Sequence, residues 1–141
     1  MKYLEYNEEN LKKVSESIIK NLTPDLLPKK YLKENYKNPM FGHCHTSSAC
    51  LQKIFGSKSI KLYRALDDNN IWHWWAQDNN GKIIDLTSAQ YIIKKQKPPY
   101  ENGQISLQLG FGYKKFRNTL YNRVIMDLND EKEGLLNYYE I

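Results

Sequence analysis

Apolar residues recur at helical spacing near both ends of the chain and alternate with polar ones in its middle. In residues 8–22, one apolar face follows Asn7, which stands where an N-cap is expected; the face consists of Leu11, Val14, Ile18 and Leu22. Pro24 and Pro28 interrupt the pattern, so residues 25–36 are expected to form a shorter, broken helical stretch. Residues 114–130 carry apolar residues every four positions and predict a C-terminal helix.

The middle of the chain predicts an antiparallel β-meander. Residues 60–66, 71–77 and 82–87 read as three strands, and clusters of Asp, Asn and Gly between them mark two turns. A further strand is expected at residues 105–110. Strands flanked by helices in this order indicate one α+β domain over residues 1–141, with N-terminal helices and a C-terminal helix around the meander.

A helix between the first helices and the meander carries the candidate nucleophile. It begins near Cys44, after a loop that contains Pro39 and Gly42, and it ends at Gly56. The N-terminus of a helix has unpaired N–H groups and partial positive charge, and both favour a thiolate over a thiol. We therefore expect Cys44 to be a nucleophile on a helix packed against the meander, and Cys50 to be a core residue.

His73, on the second predicted strand, is the candidate base. It shares a strand face with Trp75, while Trp72 and Trp74 point the other way. Aromatic rings beside a base could line a pocket for an acyl group or a ring. We expect the substrate-binding residues to be Trp72, Trp74, Trp75 and His43.

The turn at residues 78–81 decides whether Asp85 lies on the same face as His73. A two-residue turn pairs His73 with Ser88 and puts Asp85 on the opposite face. A three-residue loop, with Gly81 as a left-handed bulge residue, pairs His73 with Thr87 and brings the two side chains together. We favour the second register because glycine is the residue that this bulge position prefers.

In that register the chain holds the parts of a thiol active site. Cys44 would attack, His73 would take and return the proton, and Asp85 would orient the imidazole. The backbone N–H of Cys44 and the side-chain amide of Asn38 are the candidate donors to an oxyanion. This arrangement would act on an amide, thioester or isopeptide-type carbonyl through a thioacyl intermediate.

Each of these residues also has a purely structural interpretation. Cys44 could be a buried thiol, His73 a hydrogen-bonded strand residue, and Asp85 a cap for turn or helix N–H groups. Asn38, before Pro39, could be only a turn residue. A non-catalytic binding or inhibitor protein on the same scaffold is therefore the main alternative function.

A zinc site is the second alternative for the same residues. His43, Cys44, His45 and His73 offer nitrogen and sulfur ligands, but in an extended segment Cys44 points away from its immediate neighbours. If Cys44 is left out for this reason, no other residue stands at a usual spacing to serve as the fourth zinc ligand. We expect neither a metal nor a cofactor.

Composition narrows the partners and the compartment. The 141 residues carry a net charge of +5, and the basic residues are scattered in small groups. That charge permits an anionic partner, but nucleic acid is not the expected one. The chain has no apolar run of the roughly 20 residues that span a bilayer and no signal-peptide core. We expect a cytoplasmic protein that does not bind membranes and acts on a peptide, protein or small acyl or amide substrate.

Several of these residues also form a recognisable pattern. It runs through Asn38-Pro39, Gly42-His43-Cys44, Phe55-Gly56, His73 on an aromatic strand, Ile84-Asp85-Leu86-Thr87 and Gln90-Tyr91. The pattern resembles the YunG-like family, small bacterial and phage proteins of papain-like cysteine-hydrolase fold. The order Cys, His, Asp more distantly resembles transglutaminase-like and arylamine N-acetyltransferase enzymes.

The resemblance covers residues 38–91. It implies a papain-like fold in which Cys44, His73 and Asp85 form a catalytic triad and Asn38 lies near the oxyanion. The sequence departs from the family pattern at His43 and His45, which flank the cysteine, and at Trp74-Trp75, where a smaller or more polar pair is usual.

Overall fold

A computed structural model describes residues 3–107 and 113–140, with side chains described up to residue 131. Within these residues the fold is α+β, as predicted. The helices are α1 (Glu8–Lys20), α2 (Leu32–Lys37), α3 (Cys44–Phe55), α4 (Ala89–Lys94) and α5 (Tyr113–Glu140). The strands are β1 (Ile60–Leu66), β2 (Trp72–Asp78), β3 (Ile83–Ile84) and β4 (Gln104–Ser106). Short 3₁₀ turns lie at Pro24–Leu26, Lys29–Tyr31 and Tyr100–Asn102.

The four strands form one antiparallel sheet in the order β3-β2-β1-β4. The predicted meander is therefore confirmed, and β4 joins it on the free side of β1. Two strands are shorter than predicted. β3 ends at Ile84 because Asp85 accepts a hydrogen bond from the N–H of Thr87, which turns the backbone toward α4. β4 ends at Ser106, and residues 108–110 of the predicted strand lie outside the described residues.

The register between β2 and β3 is the one that a three-residue loop produces. Ala76 lies opposite Ile84, and Gln77 lies opposite Ile83. Gly81 has a φ of +81°, and its N–H donates to the carbonyl of Asp78 at 3.1 Å. The prediction made from the glycine is thus confirmed, and the register places His73 and Asp85 on the same face.

The main core lies between the sheet and the helices α1, α3 and α5. Its fully buried members include Val14, Ile18, Leu51, Leu120 and Val124. Trp74 and Ala76 of β2 point into this cluster, and Cys50 is a wholly buried part of it, as expected. Burial raises the pKa of Cys50 to about 12, although nearby cations lower it slightly.

The N-terminal helices follow the prediction in place but not in length. Asn7 caps α1, since its side chain accepts from the N–H of Asn10 at 2.8 Å. The helix ends at Lys20 rather than residue 22, because the N–H of Asn21 already closes the last turn. In the broken helical stretch expected at residues 25–36, two 3₁₀ turns lie on either side of Pro28, which lacks an N–H, and α2 begins at Leu32. None of the helices in the described part of the chain is long and apolar enough to cross a membrane.

Candidate active site

Cys44 is the first residue of α3 and lines a cavity of about 410 Å³. Gly42, two residues earlier, has a φ of +87°, and a Cβ there would lie only 2.8 Å from Leu27 Cδ2. The glycine therefore allows the tight turn that leads into the helix. The first helical hydrogen bond runs from the N–H of Ser47 to the carbonyl of His43, so the N–H of Cys44 stands at the open end of the helix.

His73 and Asp85 form a buried pair beside this helix end. His73 Nε2 lies 2.6 Å from Asp85 Oδ2, and only 1% and 3% of the two side chains are exposed. The other carboxylate oxygen, Oδ1, accepts from the N–H of Thr87 at 3.1 Å and from its hydroxyl at 3.3 Å. Asp85 therefore orients His73 while it also closes the turn after β3.

The second ring nitrogen of His73, Nδ1, does not bind Asp85 and is the nitrogen that could exchange a proton with Cys44. The Cys44 thiol lies close enough to raise the pKa of this ring, although Nδ1 has no well-formed hydrogen bond among the described residues. Burial lowers the pKa of His73, but the hydrogen bond between His73 and Asp85, the proximity of the Cys44 thiol and the charges of both groups outweigh it and raise the pKa to about 9. An imidazole that holds a proton this firmly can form an ion pair with a thiolate.

Tyr100 is a member of the site that the sequence did not reveal. Its hydroxyl donates to Asp85 Oδ2 at 2.7 Å, the same oxygen that lies against His73. Burial raises the pKa of Tyr100, and so do the hydrogen bond to Asp85 and its negative charge. The residue follows a Pro-Pro pair in a 3₁₀ turn outside the recognised pattern. The only available signal was that a buried carboxylate needs several donors.

Aromatic rings form much of the cavity wall. They belong to Tyr31, Phe41, Trp72, Trp74, Tyr91 and Tyr113. Trp72 is 45% exposed, and the guanidinium of Arg64 lies 4.3 Å from the centre of its ring. Trp72 and Trp74 therefore line the same cavity as Cys44, and their role in binding substrate stays a prediction.

Trp75 and His43, the other two residues expected to bind substrate, are not among the residues that line this cavity, and their role stays a prediction. Trp75 is wholly buried and lies behind His73, with its ring 5.8 Å from the imidazole. His43 is also wholly buried, and neither of its ring nitrogens has a hydrogen-bond partner among the described residues. Burial lowers the pKa of His43 to about 4, although the charge of Asp25 acts in the opposite direction.

His45, rather than His43, is the histidine that lines the cavity. Its ring packs edge-on against Trp74 at 4.2 Å and against Tyr113 at 4.7 Å. Burial lowers the pKa of His45 to about 4, and the charge of Arg117 lowers it further. Within the described residues, no group of three or more His, Cys, Asp or Glu side chains is placed to hold a metal ion.

Asn38 has a structural partner that the sequence did not predict. Its side-chain Nδ2 donates to the carbonyl of Gln90 at 3.0 Å and so ties the loop before α3 to helix α4. The residue is 2% exposed and is not among those that line the cavity, whereas Gln90 is. Its role as an oxyanion donor stays a prediction.

The family comparison covers all of these residues. A family model described as YunG protein matches residues 10–131, which include the cysteine, the histidine, the aspartate and Tyr100. The chain therefore belongs to the YunG family, and the resemblance to that family is confirmed. No curated protein and no solved structure was found to match the chain.

Proposed function

We propose that this YunG-family protein is a cysteine-dependent hydrolase or acyl transferase that acts on an amide, thioester or isopeptide-type carbonyl. The observation that carries the proposal is the position of Cys44. It starts a helix, faces a cavity, and adjoins an imidazole whose other nitrogen is held by Asp85 at 2.6 Å. A thiol, a base and an orienting carboxylate in this relation are the components of nucleophilic catalysis.

The proposed reaction has two halves. In the first, His73 accepts the thiol proton, the Cys44 sulfur bonds to the carbonyl carbon, and the bond to the leaving group breaks as His73 returns the proton to it. In the second, water or an acceptor amine attacks the thioacyl carbon while His73 takes its proton. The C–S bond then breaks, and the thiolate re-forms beside the imidazolium.

Negative charge develops on the carbonyl oxygen in both halves. The N–H of Cys44 at the open end of α3 is one donor that this proposal assigns to it. The second donor would be the amide of Asn38, which has one hydrogen engaged by Gln90 and a second available. In this proposal the chain keeps the papain-like arrangement that its sequence resembles and works in the cytoplasm, where thiols stay reduced.

The aromatic wall suggests what the acyl group looks like. Rings that line a cavity of about 410 Å³ favour a flat or apolar group next to the carbonyl. Trp72 would contact the outer part of that group, and Trp74 the part nearer Cys44. The substrate would then be a peptide, a protein side chain or a small acyl compound with such a group.

A non-catalytic binding protein is the second candidate, and one observation favours it. Cys44 is only 9% exposed, and His73 is only 1% exposed, so a bulky carbonyl compound would need the cavity to open slightly. In that case the same aromatic wall would bind a partner, and the buried residues would only stabilise the fold.

Alkylation of Cys44 by iodoacetamide separates the two candidates. The rate is measured from pH 5 to 9 by mass spectrometry, with Cys50 replaced by alanine throughout. A cysteine without a base reacts mainly near its ordinary pKa of about 8.5. The enzyme proposal predicts fast alkylation already at pH 6, which His73→Ala abolishes. His45→Gln is the matched control, because it removes another histidine near Cys44, one that packs against Trp74 and Tyr113, and it should retain the fast reaction.

If the parent protein and His73→Ala show the same dependence on pH, the thiol is not activated and the enzyme proposal is wrong. The binding candidate would then be tested by isolating a partner with the His73→Ala protein and with Trp72→Ala as its binding control.

A further inference from the structure

We propose that Tyr100 is a positioning residue that acts through Asp85 and limits how firmly His73 holds its proton. Tyr100 and His73 both contact Oδ2 of Asp85, at 2.7 Å and 2.6 Å. The two therefore compete for the negative charge of one oxygen atom. The catalytic meaning of this competition rests on the proposed function, but the competition itself does not.

The fold holds Tyr100 in place from its far side. The residue begins a 3₁₀ turn in which the N–H of Gly103 donates to the Tyr100 carbonyl at 3.1 Å. Gly103 lies so close to Trp75 that a Cβ there would be 2.6 Å from Cζ2 of the indole. The Tyr100 ring packs edge-on against the same indole, with ring centres 5.1 Å apart. Trp75 thus packs against both Tyr100 and the end of its turn.

Asp85 does not depend on Tyr100 for its position. Its other oxygen, Oδ1, is anchored by the N–H and the hydroxyl of Thr87. Loss of the Tyr100 hydroxyl would therefore leave the carboxylate where it is. Oδ2 would lose one hydrogen-bond donor. More of its negative charge would then act on His73.

In the part of the chain that the structure describes, the titratable groups that face His73 come from four elements. They are Cys44 on α3, Asp85 after β3, Tyr91 on α4 and Tyr100 in the 3₁₀ turn. The Tyr91 ring lies 4.7 Å from the imidazole centre, but its hydroxyl donates to Asp67 Oδ2 at 2.8 Å. Tyr91 thus contacts His73, but its hydroxyl is bonded to Asp67 and not to Asp85. Tyr91 can therefore serve as a control for Tyr100.

Whether loss of the Tyr100 hydroxyl raises or lowers the pKa of His73 depends on which protonation state of His73 the hydroxyl stabilises more. When His73 is neutral, Asp85 is a buried anion that has lost the charge of its partner, and the tyrosine donor stabilises it most in that state. Without the hydroxyl, the state with protonated His73 becomes relatively more stable. The pKa of His73, already raised to about 9, would rise further. An imidazolium with a higher pKa is a weaker acid toward a leaving group.

The test is a titration of the His73 ring by NMR, in protein that carries Cys44→Ala so that no thiol titrates with it. Tyr100→Phe is expected to raise the midpoint by about half to one pH unit, since a hydrogen bond to a charged group is strong. Tyr91→Phe, which removes a hydroxyl from the other ring that packs on His73, should leave the midpoint unchanged. Site-specific 3-fluorotyrosine at position 100, a stronger donor than tyrosine, should lower it.

Shifts in these opposite directions would support the proposal. An unchanged midpoint in Tyr100→Phe would overturn it, and so would a fall toward the ordinary histidine value, which would mean that the phenylalanine had displaced Asp85. Because Cys44 is absent, these outcomes do not depend on whether the thiol is reactive. Failure of the proposed function would appear instead in the alkylation experiment on Cys44.

Discussion

His73 Nε2 lies 2.6 Å from Asp85 Oδ2, and both side chains are almost completely shielded from water. The pair forms because a three-residue loop sets the register of β2 and β3, and because Asp85 is fixed by Thr87. A histidine held in this way binds its proton more firmly in the folded protein than in the unfolded chain. The stability of the fold must therefore depend on pH.

The pKa of His73 is about 9 in the folded protein, and that of an unfolded histidine is about 6.5. The contribution of protonated His73 to the stability of the fold is complete below pH 6.5 and is lost as the pH rises through 9. We expect the free energy of unfolding to fall by up to about 3 kcal/mol across this interval. Urea denaturation at several pH values measures it, and His73→Gln should remove most of the fall. An equal fall in both proteins would contradict the assignment.

His43 should lower the stability of the fold at acidic pH, whereas His73 lowers it at alkaline pH. The pKa of His43 is lowered to about 4 in the folded protein, whereas an unfolded histidine has a pKa of about 6.5. The fold therefore has its full stability above about pH 6.5 and loses stability as the pH falls through 4, because the unfolded chain takes up the proton first. His43→Leu removes this buried ring, which has no hydrogen-bond partner within residues 3–107 and 113–131. We expect the loss of stability between pH 7 and pH 4.5 to shrink by about 2 kcal/mol, as measured by urea denaturation. An unchanged loss would show that His43 is protonated in the folded state.

Gly103→Ala should disturb the support of Tyr100. The backbone tolerates alanine there, with a φ of −61°, but the new Cβ would lie 2.6 Å from Trp75. We expect a loss of about 1–3 kcal/mol in the free energy of unfolding, the usual cost of overpacking. Asn102→Ala, at the exposed neighbouring position, should cost much less in the same denaturation experiment. Similar costs would mean that the turn moves freely away from Trp75.

Trp72→Ala should reduce the preference of Cys44 for aromatic reagents. Trp72 is 45% exposed at the cavity, so its removal should leave the core intact. We expect Cys44 to react faster with 2-chloroacetanilide than with chloroacetamide, and the ratio to fall about fivefold in the variant, the value of a partly lost apolar contact. Ile92→Ala, which is 75% exposed and away from the cavity, is the control. An unchanged ratio in Trp72→Ala would remove this residue from the substrate site.

Asn38 can be tested by comparing two reactions of the same thiol. Acylation by p-nitrophenyl acetate passes through an oxyanion, whereas alkylation by iodoacetamide does not. If the Asn38 amide stabilises the oxyanion, Asn38→Ala should slow acylation about a hundredfold and leave alkylation unchanged. Equal effects on both reactions would show that Asn38 only connects its loop to Gln90.

The local features of the fold could be predicted because they depend on neighbouring residues. Asn7 caps the first helix through a residue three positions away, and Gly81 sets the β2–β3 register through its own backbone conformation. The helix that begins at Cys44 follows from the glycine-containing loop before it and the apolar spacing after it. The alternation along β2 correctly separated His73 and Trp75 from Trp72 and Trp74.

Alternation does not reveal what covers each face of a strand. Trp75 was expected to bind substrate but is covered by Tyr100 and Gly103, which lie more than twenty residues further along the chain. His43, also predicted to bind substrate, is buried, whereas His45 lines the cavity. The residues that cover Trp75 come from a distant segment, and the sequence carries no periodic signal for such contacts.

The sequence by itself determined the α+β class, the helix start at Cys44 and the register that brings His73 to Asp85, because each follows from the conformational preferences of a few adjacent residues. Only the tertiary structure decided which rings line the cavity and which are buried, and that Tyr100 shares the charge of Asp85. The physical reason is that these relationships arise when segments far apart in the chain pack together, and packing is decided by the shape of the whole domain.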